Sequence, residues 1–81
     1  MLDEKRRTTR QRTLKGGVIA FNGRFSKLDC IVANLTPQGA LLKLDSTEGI
    51  PDRIELRLVD YDYRVCRVVW RRRDRLGVAF E

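Results

Sequence analysis

The 81-residue sequence contains no histidine and only two cysteines, Cys30 and Cys66. Without an imidazole, neither a Ser-His-Asp nor a Cys-His set can be assembled. No Cys-x-x-Cys pair occurs, so a zinc site is not expected. There is also no carboxylate pair and no glycine loop with the usual phosphate-cradling spacing. The expectation is a protein that is not an enzyme and that needs no metal or cofactor. Both cysteines lie in apolar, strand-like stretches and read as buried free thiols, with a disulfide between them as the alternative. No run approaches the roughly 20 apolar residues of a membrane span, and no secretion signal is recognisable. These absences predict a cytoplasmic, reducing setting with no membrane partner.

The length allows one domain. A chain this short buries little more than half of its unfolded surface, so its core is marginal. A deep catalytic cleft fits that size poorly, and a module that binds at its surface fits well.

The formal net charge is +6, unevenly spread. Residues 1–15 carry six basic side chains against two acidic ones, a net +4, whereas the remaining 66 residues carry eleven against nine. A cationic arm ahead of a nearly balanced body favours an anionic partner such as a nucleotide, a nucleic acid or an acidic surface.

Residues 1–13 are polar apart from Leu2, which leaves no apolar stripe to hold a helix. They read as a flexible arm that orders on a ligand, with residues 14–81 as a single β-barrel domain. From Leu14 the pattern is β. Val18–Phe21 is a short apolar run closed by Asn22-Gly23, a signal for a type I′ turn. Arg24–Leu35 alternates imperfectly and is long enough to predict a bend or bulge. Ser26, Leu28, Cys30 and Val32 share one of its faces. Pro37 ends it, because proline cannot donate to a ladder.

Ala40–Leu44 reads as the next strand and Asp45–Asp52 as a loop. Arg53–Leu58 alternates strictly, with Ile54, Leu56 and Leu58 inward. Tyr63–Arg72 is a long strand that puts Cys66, Val68 and Trp70 on one face. Leu76–Phe80 closes the series with Leu76, Val78 and Phe80 together. Six strands, short turns and no convincing helix predict an all-β, antiparallel, six-stranded small barrel, because closure removes exposed edges.

Two motifs carry the candidate chemistry. Arg6 and Arg10 lie four apart with Arg7 between them, and arginine forks suit phosphates and the guanine edge. The plain alternative is a solvated basic tail. Asn34-Leu35-Thr36-Pro37-Gln38-Gly39 is a polar turn in which Asn34 and Thr36 can meet a phosphate or base edge while Gly39 admits a close approach. Its plain alternative is turn chemistry, with side chains bonding their own backbone and Gly39 left-handed. The later arginines, Arg64, Arg67, Arg71, Arg72, Arg73 and Arg75, read first as a solvated rim. Trp70 reads first as core and second as a base-stacking ring, and Tyr61 and Tyr63 remain open.

The two motifs, in this order and on six strands, resemble the PilZ domain, a bacterial receptor module for cyclic di-GMP. That family carries RxxxR on an N-terminal arm and (D/N)xSxxG on the barrel. Arg6 and Arg10 match the first, with Arg7 as the frequent extra arginine. Asn34 and Gly39 match the second, with Thr36 in the serine position. Val68-Val69-Trp70 and Leu76-Gly77-Val78-Ala79-Phe80 resemble the family's last two strands. The likeness spans Arg6 to Phe80 and lacks the C-terminal helix of many members.

It implies a cyclic dinucleotide clamped between the arm and the Asn-x-Thr-x-x-Gly turn. It also implies a signal passed to a separate effector protein. Arg6, Arg7, Arg10, Asn34, Thr36 and Gly39 would be the ligand-binding residues. The alternatives are a basic small barrel that binds nucleic acid and a PilZ-like barrel that binds no nucleotide and serves as a protein-interaction adaptor.

Overall fold

A computed structural model describes residues 11–58 and 61–81. Six strands follow in order: β1 (Gln11–Phe21), β2 (Ser26–Leu35), β3 (Gly39–Lys43), β4 (Arg53–Leu58), β5 (Arg64–Arg72) and β6 (Arg75–Phe80). They form a closed antiparallel barrel in the spatial order β1-β2-β3-β6-β5-β4, with β1 pairing to β4. The expected all-β, six-stranded fold is therefore present.

β1 begins at Gln11, three residues earlier than the sequence pattern indicated, and Gln11 pairs with Leu35 and Arg12 with Asn34. The hairpin turn after it is also longer than a two-residue type I′ turn. Asn22, Gly23 and Arg24 are all left-handed, at φ 58°, 66° and 68°, and Phe21 pairs with Ser26 across four turn residues. A left-handed arginine is costly. The Arg24 guanidinium is held by Glu55 at 2.7 Å and lies 4.2 Å from the Tyr63 ring centroid. That ion pair with Arg24 lowers the Glu55 carboxyl below its ordinary value of 4.5.

The core is aliphatic, with Ile19, Val32, Leu42, Ile54, Cys66 and Leu76 fully enclosed. Ile54, Leu56, Leu76 and Val78 lie inward as their alternation predicts. Two faces differ from that alternation. β2 shifts register between Val32 and Asn34, so Val32 and Ala33 are both buried; Leu28, outside the stretch that β3 pairs, is partly exposed. This is the bulge that the strand's length implied. β5 shifts register against β6 between Val68 and Trp70, leaving Val69 as the extra residue. Trp70 is consequently not core; it is 44% exposed.

The Asp45–Asp52 segment is a loop, anchored by the buried Thr47. Its hydroxyl donates to the Arg72 carbonyl at 2.6 Å, and its amide donates to the Arg73 carbonyl at 2.9 Å. The β5–β6 turn is thereby fixed to the body of the barrel.

Candidate ligand-binding site

Arg6, Arg7 and Arg10 lie outside the described residues. The register of β1 nevertheless fixes where the chain enters the barrel: at Gln11, opposite Leu35, one residue before the Thr36–Gln38 turn.

That turn is built by its own threonine. The Thr36 amide donates to the Gly39 carbonyl at 2.9 Å, and the Gly39 amide returns to Thr36 O at 3.3 Å. The Thr36 hydroxyl accepts from the amides of Gln38 (3.2 Å) and Gly39 (3.1 Å) and lies 3.3 Å from the Gly39 carbonyl. Such hydroxyl-to-backbone bonding replaces the ladder bonds lost at Pro37. The β6 end closes on the same turn, where the Phe80 amide donates to Gln38 O at 2.8 Å.

Gly39 is buried and is not one of the left-handed residues. A Cβ there would run into the Val78 carbonyl of β6. Its glycine character serves close strand packing, which corrects the expectation of a left-handed turn position. Asn34, half-buried at the end of β2, pairs with Leu41 on its other side.

Asn34, Thr36 and Gly39 line one shallow concavity of about 330 Å³, together with Gln38, Val69 and Trp70. Trp70 pairs with Gly77, and its indole stands where a side-chain carbon at 77 would be. A large flat ring is thus seated against backbone with nearly half its surface open. That exposure suits stacking on a base. Alternation alone hid this residue; the facing glycine and the arginines after it are the signals that point outward.

On its other side Trp70 borders a second concavity of about 590 Å³, lined by Arg72, Arg73, Asp74 and Arg75. The arginines are not equivalent. Arg71 donates to Ile50 O at 2.7 Å and Thr47 O at 3.3 Å, and contacts Asp52 Oδ1 at 3.1 Å, so it braces the loop. Arg64 lies over the Phe80 ring at 4.1 Å. A third, largely apolar concavity of about 420 Å³ lies at the barrel mouth, between Pro37, Leu58, Tyr61, Tyr63 and Phe80.

Neither cysteine belongs to these surfaces as a nucleophile. Both are free and buried, and burial pushes the Cys30 thiol up to about 12 and the Cys66 thiol to about 11. Such thiols are inert at neutral pH. Among the described residues, no three His, Cys, Asp or Glu side chains gather to hold a metal ion. No helix among them is long and apolar enough to cross a membrane, a statement that does not bear on strands.

Comparison of the chain with protein-family profiles, with curated proteins and with solved structures returns no match.

Proposed function

We propose that this protein is a cyclic di-GMP receptor module of the PilZ type. One observation carries the reading: Asn34, Thr36, Gly39 and the exposed indole of Trp70 share one concavity, beside the point where the arginine arm joins β1. In this reading the guanidinium forks of Arg6 and Arg10 hold phosphate and the guanine Hoogsteen edge, and Arg7 adds a phosphate contact. Trp70 stacks on a guanine, and Asn34 bonds the base or its phosphate. Thr36 and Gly39 act mainly by shaping the turn. The receptor passes its signal to a separate effector protein.

Calorimetric titration tests the proposal, with GTP and a non-guanine cyclic dinucleotide as controls. Binding selective for cyclic di-GMP, lost in Arg6→Ala, Arg10→Ala and Trp70→Ala, is the expected result. Absence of heat at near-millimolar ligand sinks the idea. Trp70 is the only tryptophan, so quenching of its fluorescence reports contact directly.

A second reading, a single-stranded nucleic-acid binder, is favoured by Arg72, Arg73 and Arg75 around the same ring. It predicts affinity that falls steeply with salt and shows little preference for guanine dinucleotides.

A further inference from the structure

The barrel wall is incomplete along the first half of β2. β3 pairs with β2 only from Ile31 to Leu35. Beyond Lys43 the chain leaves: the Leu44 amide donates to Asp74 O at 3.0 Å, and the Thr47 amide to Arg73 O, carrying the segment to the β5–β6 turn. Ser26–Cys30 therefore pair with β1 on one side and, among the described residues, with no strand on the other. Leu28 within this stretch is 37% exposed, and Phe25 (91%) and Ile31 (43%) flank it. An open edge with apolar flanks is a template for another strand.

The charge pattern identifies the strand that fits. We infer that two copies of this chain associate edge to edge through β2, antiparallel, with Leu28 on the two-fold axis. An isologous contact sets each residue against its mirror position. About Leu28, Lys27 of one copy faces Asp29 of the other, and Asp29 faces Lys27. Ser26 faces Cys30, and Phe25 of one copy approaches Ile31 of its partner. Moving the axis to Lys27 or to Asp29 sets two like charges directly opposite, which destabilises a pair. A shift that pairs odd with even positions sends the side chains to the wrong faces. Of the three central positions, Leu28 is thus the one that satisfies face and sets opposite charges against each other. The ladder is short, which places the contact among the weak, concentration-dependent ones.

Sedimentation velocity from low-micromolar to near-millimolar protein tests this, with five samples. Wild type shows a mass rising toward a dimer. Lys27→Asp and Asp29→Lys each set like charges across the axis and weaken self-association about tenfold or more. An equimolar mixture of the two variants restores both opposite-charge pairs and dimerises. The double exchange K27D/D29K, identical to wild type in composition, dimerises as wild type does. Lys27 and Asp29 are exposed, so the exchanges leave the core intact.

Dilution of wild type followed by amide chemical shifts needs no variant and should move residues 25–31 selectively. A wild type monomeric at near-millimolar concentration overturns the inference. So does a single variant that associates as wild type does, or a mixture that stays monomeric. In the first of those cases, Lys27 and Asp29 serve to discourage pairing at this edge.

Discussion

The indole of Trp70 occupies the space that any side chain at position 77 would need, so Gly77 on β6 sets the pose of the one tryptophan on β5. Gly77→Ala must therefore move the ring or the strand. Overpacking of this kind costs about 1–3 kcal/mol. The expected outcome is a lower melting temperature and a red-shifted tryptophan emission as the ring leaves the barrel wall. A variant with unchanged emission would show that the seat is loose. If Trp70 stacks on a base, the same substitution also weakens nucleotide binding, since Gly77 lines the same concavity as the ring.

Thr36 makes a separable prediction. Its hydroxyl accepts two backbone amides of its own turn. Thr36→Ser keeps those bonds and should be near neutral in stability. Thr36→Val keeps the shape, takes the acceptor from the Gln38 amide, leaves the Gly39 amide only the Thr36 carbonyl, and should cost about 1 kcal/mol, read from urea midpoints. Equal stability of the two variants would show that the hydroxyl does not hold the turn. Ligand affinity should then follow turn integrity, with serine and threonine nearly interchangeable.

Much of the fold could be read from the sequence, because its strands are short alternating runs separated by residues that stop ladders. Asn22-Gly23, Pro37, the Asp45–Asp52 loop and Arg73-Asp74 all punctuate where expected. What could not be read depends on partner strands. The spatial order that brings β1 against β4 is set by closure, not by any local pattern. Trp70 was misplaced because period two fails at a bulge, and the bulge at Val69 exists only in relation to β6. The need for glycine at position 39 likewise comes from Val78, far away in sequence. The candidate site was legible as Asn34, Thr36 and Gly39, which the structure does bring together, whereas the outward pose of its aromatic member depends on the pairing of β5 with β6.

The buried thiols give the protein an alkaline limit. In the unfolded chain they ionise near the ordinary value of 9.0; in the fold Cys30 holds its proton to about 12 and Cys66 to about 11. Between those values the unfolded state has lost protons that the native state retains, so stability falls as pH rises. Below pH 9.0 the thiols make no difference. The loss is on the order of 1 kcal/mol per pH unit for each thiol. Urea unfolding of wild type and Cys30→Ala at pH 8 and at pH 10.5 isolates this contribution. The variant is less stable at pH 8 because of its cavity, and the gap should narrow at pH 10.5. A constant gap would show that Cys30 ionises freely in the fold. Thiol-specific reagents at pH 8 should react slowly with native protein and rapidly once it is unfolded.

The arginines at the β5–β6 turn should separate into two groups under mutation. Arg71 uses its guanidinium on the Ile50 and Thr47 carbonyls and on Asp52, and these bonds pin the same loop that the buried Thr47 anchors. Charged donors to backbone carbonyls contribute about 1.5–3 kcal/mol when partly buried. Arg71→Ala should therefore lower stability and raise amide exchange across residues 47–52, and Arg71→Lys should recover only part of the loss, since lysine lacks the planar fork. Arg72 and Arg73 lie exposed beside Trp70, so alanine there should leave the melting temperature within a degree or two of wild type, as surface substitutions do. Their effect should appear instead in the salt dependence of anion binding, each removal flattening the slope by about one phosphate contact. A large stability loss at Arg72 or Arg73, or none at Arg71, would reverse the assignment of which arginines brace the turn and which face a ligand.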